Sequence, residues 1–367
     1  MLSRYKTNLN SKQPILGVCA AERTIKRLLK QKETEKITSI KEANKYANIS
    51  LYFFSAKDVD TKRRRIRGVY YNEKKSLWEK AQFPYPNLIY KTSVLTDKLR
   101  VHLLKKKVKP LNYLNGFNKW EVYNNLSRDE RCKQYLPLTI MYNSPNDLFE
   151  MLKTTDTVYL KACVGRQGKQ VIRVIKLPEG GYELSYLKDR LYVHKIDNDN
   201  DVVNKIQSFF GEKKFLIQQA IDLITIDKKI VDLRAEVQKN GKGQITVAGI
   251  PVRMSQNNAP ITTHAQSYSF DYFFKHIMNY SDIEVKELKN KLNQFLNITY
   301  QSIEKDYGPI GEIGIDIGLD KKGHLWFIEC NSQSRKVSFF KAYDKKTINE
   351  SSLNLLEYGK YRIKRNV

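Results

Sequence analysis

The chain has 367 residues, enough for two or three domains with sizeable cores, and 41% of its residues are hydrophobic, as in globular proteins. No apolar run approaches the roughly 20 residues that cross a bilayer, the N-terminal stretch lacks the apolar segment of a secretory signal, and the four cysteines match no metal-binding or disulfide spacing. These features argue against a membrane-spanning protein and a disulfide-rich secreted domain, and we expect a cytoplasmic protein with reduced thiols.

The charge is strongly positive, because 65 Lys and Arg residues against 39 Asp and Glu residues give a net charge of +26. Such a field raises the local concentration of any polyanion, whether nucleic acid, nucleotide, anionic surface or acidic peptide. A lysine-rich composition can also reflect the base composition of the coding DNA. We interpret the basic run at residues 62–67 as a solvated strand end, with nucleic-acid binding as the alternative.

The first part of the chain is predicted to be a small α/β domain. Residues 14–20 and 49–54 are short apolar runs typical of buried strands, and residues 22–32 and 40–47 have helical spacing of apolar side chains. Strand–helix–strand order with short links indicates a parallel sheet. We expect the chain to change domain shortly after Pro110.

The next region is predicted to open with a helix and to continue into a sheet. Asn118 is a suitable N-cap, and Lys119 lies in the first turn, where the helix dipole disfavours a cation unless an anion is near. Residues 157–176 are predicted to be two strands joined by a loop, with Lys161 near the end of the first strand.

That loop, residues 165–169, contains two glycines and two cations, Arg166 and Lys169. Glycines permit close approach of the backbone, so the loop would suit a flap over phosphates. A simple turn between strands gives the same pattern. The loop is not a P-loop, because no helix with a Lys-Ser/Thr pair follows it.

A nucleotide hinge and a charged hairpin are predicted further on. Residues 215–221 form an apolar run interrupted by amides, whose backbone would suit a base edge. Residues 229–253 are predicted to form a hairpin that places Asp232, Arg234 and Glu236 on one face. A structural ladder of ion pairs is the competing interpretation of that face. Residues 284–305 then have the apolar periodicity of an amphipathic helix.

The stretch with the sharpest pattern is the hairpin at residues 311–331, which alternates apolar and polar residues around a turn. Glu329 and Asn331 share a face, and Asp316 joins them if Leu319 pairs with His324. Two carboxylates and an amide oxygen among apolar residues favour a divalent cation, Mg²⁺ or Mn²⁺. The alternative is an ordinary hairpin whose polar face meets water.

The order of these blocks resembles the ATP-grasp superfamily, most closely the endospore coat-associated YheC/YheD family. The stretches that carry the resemblance are FNKWEVY, YLKACVGRQGKQVIRV, FLIQQAIDL, VDLRAEVQKNGKG and GEIGIDIGLDKKGHLWFIECNS. The resemblance implies an ATP-grasp fold, α/β and α+β, with an N-terminal α/β (pre-ATP-grasp) domain. It divides the chain into an N-terminal domain, a first lobe with the glycine-rich loop, a second lobe with the metal site and a basic C-terminal helix or tail, at residues 1–112, 113–214, 215–345 and 346–367.

The resemblance also implies roles for individual residues. Nucleotide contacts are implied for the phosphate-binding lysines, the glycine-rich loop and the hinge, which are Lys119, Lys161, Gly165, Gly168, Lys169, Gln218, Gln219, Ala220, Ile221 and Asp222. Magnesium ligands are implied at Asp316, Glu329 and Asn331. Catalytic cations are implied at Arg234, Arg253 and Lys169.

The activity that the resemblance implies is an ATP- and Mg²⁺-dependent carboxylate–amine ligation through an acyl phosphate. The substrates are then a carboxylate and an amine, and the positive charge makes an acidic peptide or protein a candidate. Two stretches depart from the usual pattern: residues 332–335 lack the expected proline or glycine turn, and residues 261–270 lack paired glycines. A nucleotide-binding spore-coat or structural protein that has lost turnover is therefore the alternative. Nucleic-acid binding rests on charge alone and is not expected.

Overall fold

Three β-sheets carry the architecture of the chain. The computed structural model describes residues 13–113, 115–165, 170–255 and 266–365. Within these residues no helix combines the length and the apolar character needed to cross a membrane. The domain limits given above remain predictions, but each sheet draws its strands from one continuous part of the chain.

The first sheet has seven strands and lies in the N-terminal part. Its strands are β1 (Ile15–Cys19), β2 (Ser50–Phe54), β3 (Val59–Asp60), β4 (Arg65–Asn72), β5 (Leu77–Pro84), β6 (Leu88–Lys91) and β7 (Lys109–Pro110), and its helices are α1 (Glu22–Leu28), α2 (Glu35–Ala47) and α3 (Asp97–Lys105). Neighbouring strands follow the order β3-β4-β2-β1-β6-β7, and β5 also pairs with β4. The four strands β2, β1, β6 and β7 are parallel, as the strand–helix–strand order predicts.

The second sheet has six antiparallel strands. The elements of this part are α4 (Lys119–Ser127), α5 (Glu130–Lys133), β8 (Thr139–Met141), α6 (Pro145–Thr154), β9 (Thr157–Ala162), β10 (Val171–Lys176), β11 (Tyr182–Leu187), β12 (Leu191–Ile196), α7 (Asp199–Phe210) and β13 (Phe215–Gln219). The strand order is β12-β11-β10-β9-β13-β8. Helices α6 and α7 cover the sheet through an apolar cluster that includes Leu148, Leu152, Val202 and Ile206.

The third sheet has seven antiparallel strands and holds most of the predicted site. The elements of this part are β14 (Thr225–Ile226), β15 (Lys229–Lys239), β16 (Ile245–Gly249), β17 (Val252–Met254), β18 (Gln266–Tyr268), α8 (Phe270–Tyr272), α9 (Asp282–Tyr307), β19 (Glu312–Leu319), β20 (Leu325–Asn331), α10 (Val337–Ala342) and α11 (Lys345–Arg365). The order is β18-β17-β15-β19-β20, with β14 and β16 also on β15. The amphipathic helix α9 buries its apolar stripe against this sheet, as its periodicity predicts.

The C-terminal segment is a helix that packs on the N-terminal part of the chain. Leu355, Leu356 and Tyr358 of α11 belong to the same apolar cluster as the first sheet and α2. Arg362 is buried and donates to the carbonyl of Pro110. Because α11 also contacts β15, it ties the first sheet to the third.

The basic run at residues 62–67 lies on the β3–β4 turn and the start of β4. Its five cations are exposed, whereas Ile66 is buried. This placement agrees with a solvated strand end.

Candidate active site

Strand pairing in the third sheet brings the predicted charged residues to one face. Arg234 of β15 lies opposite Asp316 of β19, and Asp316 lies opposite Glu329 of β20. Directly paired residues project from the same side of a sheet. Asn331, two residues beyond Glu329, therefore shares that side.

The predicted register of the β19–β20 hairpin was wrong in detail. Leu319 pairs with Leu325, not with His324, and a bulge lies between Asp316 and Ile317. Relative to the predicted register, the turn shifts the pairing by one residue and the bulge shifts it by another, so Asp316 lies opposite Glu329. Alternation of residue types cannot reveal such a bulge, but the expected grouping of the two carboxylates is present.

Two arginines bind the Asp316 carboxylate. Arg234 donates from one terminal nitrogen to Oδ1 at 2.8 Å, and Arg253 of β17 donates to the same oxygen at 3.0 Å. Arg253 also makes a two-point contact with Asp232, at 2.7 and 2.6 Å. Attraction to these carboxylates outweighs burial, which opposes it, and raises the pKa of each guanidinium above its ordinary value. Both cations therefore keep their charge in this buried setting.

Glu329 is paired with Lys119, from the first turn of α4. The Lys119 Nζ lies 2.9 Å from Glu329 Oε2, and the side chains are only 19% and 29% exposed. Burial disfavours the Glu329 charge, but attraction to Lys119 outweighs it and holds the pKa of the carboxyl well below its usual range. The same pairing raises the pKa of Lys119 against the effect of burial. Glu329 is thus the anion that makes a cation acceptable at this helix start.

Helix α4 is placed by local contacts that the sequence predicted in part. The Asn118 side chain accepts hydrogen bonds from the N–H groups of Trp120 and Glu121, which confirms it as the N-cap. The Lys119 N–H donates to the carbonyl of Cys163 at 2.8 Å, just beyond β9. Val122 and Leu126 of α4 belong to the apolar cluster of the third sheet, so this bond joins a helix of that cluster to the chain just beyond β9.

Lys161 of β9 lies in the same buried region with a neutral partner. Its Nζ donates to Gln218 Oε1, and Gln218 Nε2 donates in turn to the Thr139 hydroxyl at 3.0 Å. Burial, only partly offset by attraction to Glu329, lowers the pKa of Lys161 to about 8. Among the described ion pairs, none places a carboxylate within bonding distance of Lys161, so its positive charge has the neutral amide of Gln218 as its described hydrogen-bond partner.

The predicted hinge, residues 218–221, spans the end of β13 and the two residues after it, and part of its backbone is already hydrogen-bonded. The Gln219 N–H donates to the carbonyl of Leu138, and the Ala220 N–H donates to the carbonyl of Thr157. A base edge would have to bind other backbone groups of residues 218–221. Asp222 pairs with Lys321 across 2.7 Å at an exposed position.

Part of the predicted glycine-rich loop lies outside the described residues. Gly165 is described, shortly after the end of β9 at Ala162, whereas Gly168 and Lys169 are not. The second stretch that departs from the usual pattern is described only from Gln266 onward. The predicted roles of these residues stay predictions.

The oxygen donors at the centre of the site fit a hard cation. Asp316, Glu329 and Asn331 offer carboxylate and amide oxygens, the ligand type that Mg²⁺ and Mn²⁺ prefer. The described residues contain no cluster of three or more His, Cys, Asp or Glu side chains suited to a metal. Two carboxylates with an amide leave most coordination positions to ligands such as phosphate oxygens, as is usual for Mg²⁺.

Sequence reasoning assigned no role to three neighbours of Arg234. Glu236 and Ser334 contact its guanidinium, and Gly314 lies under it: a Cβ at Gly314 would come within 2.6 Å of the Arg234 Cζ. The charged face of β15 was the signal for Glu236. The close approach at Gly314 needs the three-strand register, which the sequence does not supply.

This fold and this face of charges define an ATP-grasp protein. The family model for the YheC/D like ATP-grasp matches residues 107–361, more than half of the chain. The chain therefore belongs to the YheC/YheD family of ATP-grasp proteins.

Relatives in sequence and in structure agree with this assignment. The chain is 28% identical over 298 residues to the endospore coat-associated protein YheD of Bacillus subtilis, a match that covers 78% of this chain and 65% of YheD, slightly less than two thirds of that relative. D-alanyl-alanine synthetase A from Vibrio cholerae superposes with a TM-score of 0.53 at 10% identity, covering 95% of this chain and 99% of that one. The ATP-grasp ligase PsnB, complexed with a phosphomimetic variant of its minimal precursor, Mg and ADP, has a TM-score of 0.52 at 12% identity over 95% and 99% of the two chains. These similarities show the fold.

Proposed function

We propose that this chain is an ATP- and Mg²⁺-dependent ligase that joins a carboxylate to an amine through an acyl phosphate. The observation that supports this most directly is the row of opposed charges Arg234, Asp316 and Glu329 across three strands. Such a row is costly to bury unless it binds charged ligands or is fully paired. A nucleoside triphosphate with its bound cation supplies both charges: negative phosphate oxygens for the arginine and a positive ion for the carboxylates.

Lys119 of α4 and Lys161 of β9 would hold the nucleotide. Lys161 has a lowered pKa because it is buried beside a neutral amide. A phosphate group bound next to it would stabilise the protonated, charged form of the lysine. Lys119 would exchange Glu329 for a phosphate oxygen. The proposed nucleotide site has two further parts. The predicted glycine-rich loop would contact the phosphates through Gly165, Gly168 and Lys169, and residues 218–222 would contact the base and the ribose.

The cation would be held by Asp316, Glu329 and Asn331. Mg²⁺, or Mn²⁺ as an alternative, supplies charge neutralisation and orientation of the phosphates. Glu329 loses the neutralising charge of Lys119 when that lysine turns to phosphate, and a bound cation would replace it. This exchange of partners supports the proposal that cation and nucleotide bind together.

The chemistry needs no side-chain nucleophile. The substrate carboxylate attacks the γ-phosphorus, a P–O bond forms to its oxygen, the bond to the bridging oxygen breaks, and ADP leaves. The amine nitrogen then attacks the acyl carbon, phosphate leaves with the C–O bond, and the nitrogen loses a proton to give the amide. Arg234 and Arg253 would stabilise the charge that accumulates on the transferred group.

The proposed acceptor is an acidic peptide or protein. The net charge of +26 would steer a carboxylate-rich chain toward the protein. The structural relative PsnB is an ATP-grasp ligase seen with a precursor, and D-alanyl-alanine synthetase is named for joining small amino acids. The charge favours the peptide over the small acid.

The second candidate is a nucleotide-binding spore-coat protein without turnover. Arg234, Arg253 and Lys119 each have a carboxylate partner within the protein. The charged face is therefore stable without ligands and would also serve a purely structural role. The relative YheD is named as endospore coat-associated, and we propose a cytoplasmic protein that associates with the spore for either candidate.

The two candidates differ in ADP release. Purified protein with ATP and Mg²⁺ is compared without acceptor, with amino-acid mixtures and with acidic peptides. We expect release that depends on an acidic peptide and is lost in Glu329→Gln. The matched control, Glu150→Gln, removes a carboxylate from an exposed pair with Lys153 on α6 and should behave as the wild type.

Measurable ATP binding without release for any acceptor would overturn the ligase proposal in favour of the second candidate. Release stimulated by a neutral small acid but not by acidic peptides would overturn the proposed acceptor alone.

A further inference from the structure

The guanidinium of Arg234 has a single, crowded position on the third sheet. It lies over Gly314, where any side chain would collide with it. One terminal nitrogen binds Asp316 Oδ1 at 2.8 Å, Nε lies 3.4 Å from Glu236 Oε1, and the other terminal nitrogen lies 3.4 Å from the Ser334 hydroxyl. The side chain is 12% exposed. Three different groups thus contact the three nitrogens.

The Ser334 hydroxyl is fully used, and its partners fix its direction. Its oxygen accepts from Arg234 and, at 3.2 Å, from the N–H of Lys336. A hydroxyl has two lone pairs and one proton, so the proton must go to Glu236 Oε1, 2.6 Å away. Ser334 therefore connects Glu236 to Arg234 in a defined orientation.

The position of Ser334 is itself held from the N-terminal part of the chain. Lys36 of α2 donates to the Ser334 carbonyl at 3.0 Å. Lys336, which follows in a left-handed conformation with φ of 55°, is buried and lies 3.1 Å from Glu312. The Ser334 backbone is thus held by Lys36, and the residue two positions on is held by Glu312, which opposes movement of Ser334 with Arg234.

The described hydrogen bonds of the Glu236 side chain come from Arg234 and Ser334, and both go to Oε1. Its side chain is 2% exposed, and its Oε2 has no hydrogen-bond partner among the described residues. Burying a carboxylate in this way is costly. The cost is understandable if the orientation of Arg234 matters for the site.

The orientation matters because of how Arg234 meets Asp316. Arginine and carboxylate prefer a two-point contact, yet the described hydrogen bonds from Arg234 and Arg253 both go to Oδ1. Glu236 and Ser334 contact the other two nitrogens of Arg234. Without them the guanidinium would turn toward both oxygens of Asp316.

We propose that Glu236 and Ser334 are positioning residues that keep Arg234 bound to one oxygen of Asp316. The other Asp316 oxygen would then be available to the cation, and the N–H groups of Arg234 that these three contacts leave over would be available to the transferred phosphoryl group. This inference rests on the proposed function of the same site. It adds two residues that touch neither nucleotide nor cation.

The test uses Glu236→Gln, Ser334→Ala and Ser334→Thr. Glu304→Gln is the matched control, because it removes a carboxylate that pairs with Lys239 at the far end of the same strand β15. Three quantities are measured: Mg²⁺ affinity of the ADP-bound protein, affinity for ADP without metal, and the Nε–H signal of Arg234 in ¹⁵N NMR, assigned by its loss in Arg234→Lys.

We expect Glu236→Gln and Ser334→Ala to weaken Mg²⁺ binding about tenfold while ADP affinity without metal stays within about twofold. The Arg234 Nε–H signal should shift or broaden in both variants. Ser334→Thr, which keeps a hydroxyl, and Glu304→Gln should both show the wild-type signal. Where ligation is measurable, kcat should fall with little change in the KM for ATP.

Unchanged Mg²⁺ affinity together with an unchanged Arg234 signal in both variants would overturn the proposal. Equal losses of metal and nucleotide affinity would also overturn it, because they indicate general damage. If the wild type shows no ligation but the metal and NMR results are as expected, the proposed function fails and the positioning role stands.

Discussion

The two lysines of the candidate site should respond oppositely to removal of their charge. Lys161 is buried beside a neutral amide, which lowers its pKa from the ordinary 10.5 to about 8. Each tenfold change in a proton equilibrium corresponds to about 1.4 kcal/mol, so the charge costs roughly 3 kcal/mol of folding stability at neutral pH. Partial solvent contact and the lost hydrogen bond to Gln218 reduce the net gain in Lys161→Met to about 1 kcal/mol.

Lys119 is the matched comparison, because it lies in the same site but neutralises Glu329. Lys119→Met leaves that carboxylate without its partner at 2.9 Å. Removing one member of a buried pair is strongly destabilising, and with partial exposure we expect a loss of about 1–3 kcal/mol. Thermal unfolding of the ligand-free proteins at pH 7 should therefore show a higher Tm for Lys161→Met and a lower Tm for Lys119→Met.

The pH dependence has a sign that follows from the same numbers. Between pH 8 and 10.5 the unfolded chain keeps the Lys161 proton that the folded chain has lost. Stability contributed by this group therefore rises with pH across that window, and Lys161→Met should lack the rise. Both variants should bind ATP at least tenfold more weakly at pH 7. A lower Tm in both variants would refute the conclusion that the buried charge of Lys161 destabilises the folded protein.

Two further substitutions probe the geometry around the site. Gly314→Ala would place a Cβ 2.5 Å from Arg234 Nε, so the guanidinium must move by about 1 Å. We expect kcat for ADP formation to fall by about 10²-fold. The control is Gly318→Ala, whose new Cβ would meet the flexible end of the Leu223 side chain, and an equal fall in kcat in both variants would contradict the reasoning. Asn112→Ala removes an amide that donates to the carbonyls of Glu312 and Ser332 and accepts from the N–H groups of Gly311 and Glu312. The Gly311 N–H keeps a second acceptor, the carbonyl of Leu111, but loss of the other buried hydrogen bonds should cost about 1–3 kcal/mol in chemical denaturation. Asn297→Ala on the exposed face of α9 should change stability by less than about 0.5 kcal/mol, and similar values for the two variants would count against the interpretation.

The sequence predicted the faces of the site better than its contacts. Alternation with a period of two requires Glu329 and Asn331 to share a side, and this survives an error in the hairpin register. The ion-pair interpretation of the β15 face is confirmed, since Asp232 pairs with Arg253 and Arg234 pairs with Asp316. The role of Asp316 as a metal ligand stays a prediction. A local pattern shows which residues face together but not which atoms meet.

Contacts between distant segments were beyond local patterns. The first-turn position of Lys119 indicated that an anion was needed, yet nothing in the sequence near it identified Glu329, 210 positions later. The C-terminal helix was predicted as a basic helix or tail, although Leu355 and Leu356 pack against the first sheet. These pairings depend on how the sheets pack, which residue spacing within one element does not encode.

The pairing of Lys119 with Glu329 restricts how ligands enter the site. A nucleotide that arrives alone would draw Lys119 toward its phosphates and leave Glu329 buried without a counter-charge. A cation that arrives alone would bind a carboxylate already neutralised by Lys119 and lie near Arg234 and Arg253. Each ligand alone therefore meets an electrostatic cost that the other removes, so the two should bind with positive coupling, and by linkage the coupling is equal in both directions. Lys119→Met should shrink it, because the cation would then find Glu329 unneutralised whether or not nucleotide is bound.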